Sequence, residues 1–72
     1  MERFTGIFEQ EGDWWIASVE EIPGVNTQGH TIEEARENLK EAVKLIIKAN
    51  RELARRETAG KTIIREELKV AV

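Results

Sequence analysis

The sequence predicts an α+β domain in the order β-β-β-α-β. Three observations carry that expectation. Two alternating apolar segments flank Glu11-Gly12, as in a tight hairpin. A Pro23-Gly24 pair then punctuates the chain before a further short apolar stretch. Behind Thr31, apolar residues recur at alternating spacings of three and four from Ile32 to Leu53, which is the period of a helix face.

Residues 3–10 (RFTGIFEQ) and 13–20 (DWWIASVE) read as the first two strands. With Glu11-Gly12 as the loop, Gln10 faces Asp13, Phe8 faces Trp15, Gly6 faces Ala17 and Phe4 faces Val19. Phe4, Gly6, Phe8, Trp15, Ala17 and Val19 then share one apolar face, with a shallow centre at Gly6 and Ala17 where a helix can approach. Thr5, Ile7, Glu9, Trp14, Ile16 and Ser18 share the other face. Ile22-Pro23-Gly24 reads as a type II turn, since Pro presets φ and Gly supplies the positive φ that follows. Residues 25–28 form a short third strand closed by Gly29. Thr31-Ile32-Glu33-Glu34 is a capping-box pattern, with acidic residues at the positive end of the helix dipole. The helix runs from 32 to about 57, with Gly60 as its stop. It is then roughly 39 Å long, against a diameter near 30 Å for a compact chain of this size. The helix must overhang its globule or bend near Asn50. Residues 61–72 read as a closing strand, with Thr62, Ile64, Leu68 and Val70 on one side.

The 72 residues constitute one domain, 1–72, with no repeat, linker or low-complexity segment. A core of this size is marginal, and small folds gain support from disulfides, metals or association. The sequence has no Cys, one His and one Asp, so disulfides and thiolate or His-rich metal sites are excluded. Association remains, and a dimer or tetramer is expected. No apolar run approaches the roughly 18 residues of a membrane span, and no signal-peptide pattern follows Met1. A cytoplasmic protein without membrane contact is expected. Charge is uneven: residues 1–30 hold six acidic residues and one basic, a net of −5, while residues 31–72 net +2. An acidic first half suits a basic partner.

Trp15-Ile16-Ala17-Ser18-Val19, then Ile22-Pro23-Gly24, Thr27-Gln28-Gly29-His30-Thr31, Glu33-Glu34-Ala35 and Asn38-Leu39 follow one another in an order and spacing that resembles the HicB-like antitoxin family of type II toxin–antitoxin systems. The resemblance covers roughly residues 3–50 and a closing strand at 70–72. It implies a partial ribonuclease H-like sheet with one long helix packed on one face. It also implies a domain that neutralises a small mRNA-cleaving toxin by direct contact. Larger family members append a segment that binds the operator. The 72 residues carry none, so sequence-specific DNA binding is not expected. His30 stands where the family often has Asp.

A ribonuclease-like sheet invites a search for paired carboxylates on metal ions. Glu9 and Asp13 flank the hairpin tip, Glu20 lies near its opposite end, and none has a glycine-rich cradle beside it. His30 has no nucleophile in view, and Gly24 and Gly29 form no phosphate-loop pattern. No catalytic, metal or cofactor residue is assigned, and a non-enzymatic protein is expected. Six basic residues between Lys48 and Arg65 offer a phosphate surface, but no aromatic residue is interleaved for base stacking. Trp14 and Trp15 are adjacent and must face opposite ways on a strand. Trp15 reads as core and Trp14 as an interface anchor. The candidate interface with a partner or a second copy is Ile7, Glu9, Asp13, Trp14, Ile16, Glu20 and Glu21. The expected partners are the chain itself and a small basic RNA-cleaving toxin. A stand-alone homo-oligomer of the same fold is the alternative.

Overall fold

The computed structural model describes residues 3–71. Three antiparallel strands, β1 (Gly6–Glu11), β2 (Trp14–Val19) and β3 (Ile22–Gly29), form one sheet in the order β1-β2-β3. One helix, α1 (Ile32–Thr58), packs on one face of it. The β-β-β-α order is therefore the one the sequence predicts.

The hairpin loop lies one residue later than expected, which moves every pairing by two residues. Glu11 pairs with Trp14, Glu9 with Ile16 and Gly6 with Val19, so Gly12-Asp13 is the two-residue loop. Gly12 takes φ +57° while Asp13 keeps a negative φ. A hairpin turn with positive φ only at its first central residue places glycine there, and Glu11 is left in the strand. Because the loop slides without changing length, every residue keeps its face. Phe8, Trp15, Ala17 and Val19 remain on the helix side.

The second connection also moves. The turn lies at Glu20-Glu21, and β3 begins at Ile22. Val19 pairs with Ile22 but Ser18 pairs with Asn26, so Pro23, Gly24 and Val25 bulge out of the ladder. A proline without an N–H is tolerated at such a bulge on an edge strand. Gly24 has φ +84°, the conformation expected of it, although in a bulge rather than a turn.

The helix begins where predicted. The Thr31 hydroxyl accepts a hydrogen bond from the Glu34 N–H at 3.1 Å, and Glu33 and Glu34 occupy the first turn. The core is Ala17, Val19, Val25, Ala35 and Leu39, flanked by Phe8, Trp15, Ile22, Ala42, Val43 and Ile46. The close approach is centred on Gly29, not on Gly6. A Cβ on Gly29 would lie 2.6 Å from the Ala35 backbone nitrogen. Ala17 and Ala35, both wholly buried, continue the contact. Gly6 is exposed, and the Phe8 ring folds back over it, 2.9 Å from where a Cβ would stand. Asn38 fastens the second turn of the helix to the sheet: its Nδ2 donates to the Gln28 carbonyl at 2.9 Å.

The helix runs unbroken for 27 residues, about 40 Å. Ile47 is its last half-buried position before Thr58. The overhang gives a radius of gyration of 15.7 Å, where a compact chain of this size has about 11 Å. Gly60 reverses the chain, the Lys61 N–H bonds the Thr58 carbonyl at 3.1 Å, and Arg65 donates to the Thr58 hydroxyl at 2.8 Å. The expected closing strand is not formed. Residues 61–71 have no regular secondary structure and are exposed, while Val72 lies outside the described residues. A strand needs a neighbouring ladder, and the overhang carries this segment away from its own sheet.

Gly29→Ala should destabilise the fold by about 1–3 kcal/mol, because backbone must move to admit the methyl group. Thr31→Ala should cost about 1 kcal/mol through the lost cap. Urea midpoints of both variants check this. An unchanged Gly29→Ala midpoint would mean that the strand and helix do not approach as described.

Candidate functional site

Alternation along the strands sends every second side chain away from the helix, and the register sets them in a grid. Glu11 and Trp14 form one row, with His30 packed beside Trp14 just past the end of β3, Glu9, Ile16 and Gln28 form the next, and Ile7, Ser18 and Asn26 the third. Among the described residues no helix or strand covers this face, since α1 packs on the other. Trp14 is 38% exposed and Ile7 47%, with Ile16 half-buried on the central strand. The Trp14 and His30 rings pack at a centroid distance of 4.0 Å and an interplanar angle of 31°. That contact holds the indole against the end of β3 while leaving its other side to solvent.

The structure brings together four of the predicted interface residues, Ile7, Glu9, Trp14 and Ile16, on this face. Asp13 stands beside them in the hairpin loop. Glu20 and Glu21 lie at the opposite end of β2, in the turn before β3. Glu21 is occupied within the fold: its carboxylate accepts from the Thr5 backbone N–H and the Thr5 hydroxyl, each at 2.7 Å. The Glu20 N–H donates to the Thr5 carbonyl at 3.0 Å. Together these bonds clamp the chain entering β1 to the β2–β3 turn. The Thr5 bonds hold the Glu21 carboxyl below its ordinary value of 4.5.

Sequence reasoning missed Asn26, Gln28 and His30 as members of the face. Their membership depends on the β2–β3 register, which the bulge at Pro23-Gly24-Val25 conceals. Once Trp15 is paired with Gly29, His30 falls beside Trp14. The face offers carboxylates at the β1 edge, a central apolar strip and neutral amides at the β3 edge. It has neither a nucleophile beside a base nor a cradle of backbone N–H groups. Among the described residues no three His, Cys, Asp or Glu side chains cluster to hold a metal ion. Among the same residues no helix is long and apolar enough to cross a membrane. A flat, amphipathic surface of this composition is suited to contact with another protein.

No family model and no solved structure matches the chain. It is 46% identical over 56 residues to the UPF0150 protein ssl0738 of Synechocystis sp., covering 75% of this chain and 76% of that relative. The chain belongs to the UPF0150 family. A UPF0150 protein of Thermotoga maritima is 39% identical over 46 residues, 61% of each chain.

In this UPF0150 chain the Glu21 clamp has a defined pH dependence. Its folded value lies below the unfolded one, so its contribution is present above the unfolded value and is lost as pH falls through the folded one. Glu21→Gln should therefore be less stable than the wild type at neutral pH, and the difference should close as pH falls below 4.5. Urea midpoints of the two proteins across that range check it. A difference that persists unchanged into acid would assign the loss to something other than the carboxylate charge.

Proposed function

We propose that this UPF0150 chain is an antitoxin-like, HicB-like protein-binding domain. On this reading it neutralises a small mRNA-cleaving toxin by direct contact, in the cytoplasm where the mRNA lies. The observation that supports it is the uncovered sheet face, where Trp14, Ile16 and Ile7 are bordered by Glu9, Glu11 and Asp13. A surface that engages RNA is basic because its substrate is a polyanion. An acidic rim of this kind steers such a surface into register, and an aromatic anchor then holds it. The order of sequence elements from Trp15 to Leu39, which resembles the HicB-like antitoxins, supports the same reading.

Binding kinetics against a small basic ribonuclease encoded beside this chain test it. Glu9→Lys with Glu11→Lys should slow association and flatten its salt dependence. Trp14→Ala should speed dissociation at least about 30-fold, the effect of losing an anchor worth about 2 kcal/mol. Circular dichroism should show both variants folded. Unchanged kinetics in both would place the toxin contact elsewhere.

A second reading, a stand-alone homo-oligomer with no toxin partner, is supported by a different observation. The far half of α1 and residues 61–71 expose Leu53, Ile64, Leu68 and Val70, which no other described residue covers.

A further inference from the structure

The helix leans on β3 and β2 and only lightly on β1. Beneath its other flank a groove of about 700 Å³ opens between β1 and α1. Phe4 and Phe8 form one wall of this groove, and Leu39 and Val43 form the other. Its lip carries Arg36, Lys40 and Lys44 along the helix, the lysines in exposed pairs with Glu37 at 3.2 Å and Glu41 at 3.5 Å. Arg36 lies over the Phe8 ring, 5.7 Å from its centroid. The strand bounding the groove pairs with β2 on one side only, so its other edge offers unpaired backbone groups.

Residues 61–71 have the complementary character. Ile64, Leu68 and Val70 share one side of an extended strand and are 86%, 79% and 74% exposed. Glu66 lies on that same side, where an acid among apolar residues suits the basic side chains of the lip. The segment has a strand's pattern without a ladder, and β1 has a ladder edge without a strand.

We propose that residues 61–71 of one chain lie in the β1–α1 groove of a second copy, along the free edge of β1, and that the exchange is reciprocal. The proposal deepens the self-association reading and rests on it. It leaves the Trp14 face open and is independent of the toxin. The second copy, rather than the same chain, is the occupant for a reason of reach. Arg65 is fastened to Thr58, and Val70 extends at most about 17 Å beyond Arg65 at 3.3–3.4 Å per residue. The groove residues Lys44 and Leu39 lie about 21 Å and about 28 Å up the helix from Thr58 at 1.5 Å per residue, so the chain's own segment cannot lie along the length of the groove. The overhang that removes this segment from its own sheet carries it outward to a neighbour's. Two-fold exchange then satisfies both copies, adding a strand to each sheet.

Sedimentation equilibrium of the full chain at low micromolar concentration tests this. The wild type should run at twice its 8.2 kDa. Leu68→Glu with Val70→Glu should weaken the dimer at least about 100-fold, since two apolar side chains can no longer be buried. Both positions are exposed within the chain, so the variant should keep the wild type's helical circular dichroism and lose only the signal of the exchanged strand. Absence of Cys allows a second measurement. Lys40→Cys and Leu68→Cys chains, mixed and treated with a short bismaleimide, should give a cross-linked heterodimer. A wild type of 8.2 kDa overturns both the self-association reading and the exchange. A dimer that survives the double substitution overturns the exchange alone. So does a cross-link that forms only within single chains carrying both cysteines, because that makes the chain's own segment the occupant.

Discussion

The contact on which the rest of this structure depends is the backbone approach of β3 to the start of α1. Gly29 leaves no room for a side chain against Ala35, and Ala17 extends the same flat seat across β2. Small residues let the helix settle close, and Thr31 and Asn38 fix its start and its azimuth from either side of the seat. A helix pinned there must lie over β3 and β2. The apolar inner surface of β1 is therefore left open, and the helix axis is committed to leaving the sheet before its last turns.

The same economy of side chains makes the core thin. Among the described residues its five buried members are alanines, valines and one leucine, and no large side chain is fully enclosed. The bigger apolar groups, Phe8, Trp15 and Ile46, stand at its border. Burial of apolar area is the main favourable term in folding, and here much of that area is only half removed from water. A chain built this way has apolar surface left over on both sides of its sheet, with acids bordering one side and cations the other.

Much of this was legible from residue spacing alone. The faces of the hairpin follow from its two-residue loop, and they survive a one-step error in the loop's position because such a slide preserves parity. The helix start follows from Thr31 and the spacing behind it. The third strand was harder to place: Pro23 and Gly24 carry the residue chemistry of a turn, yet they form a bulge, and the reversal falls on Glu20-Glu21. What redirects it is the clamp between Glu21 and Thr5, residues sixteen apart, which no local pattern announces. His30 joins the face unannounced for the same reason, since its place beside Trp14 depends on pairing across the bulge. Residues 61–72 carry the alternation of a strand, yet 61–71 form none. A pattern becomes a strand only beside an available edge, and availability is a property of the whole fold.

The adjacency of Trp14 and Trp15 has an optical consequence. Neighbours on a strand look in opposite directions, so one indole faces solvent across the sheet and the other faces the helix. With Trp15 replaced by Phe, the remaining emission reports the surroundings of the open face and shifts toward the blue when that face is covered. With Trp14 replaced by Phe, the emission follows the packing of α1 on the sheet. Two residues side by side in sequence thus provide separate optical channels for events on opposite sides of a sheet one strand thick.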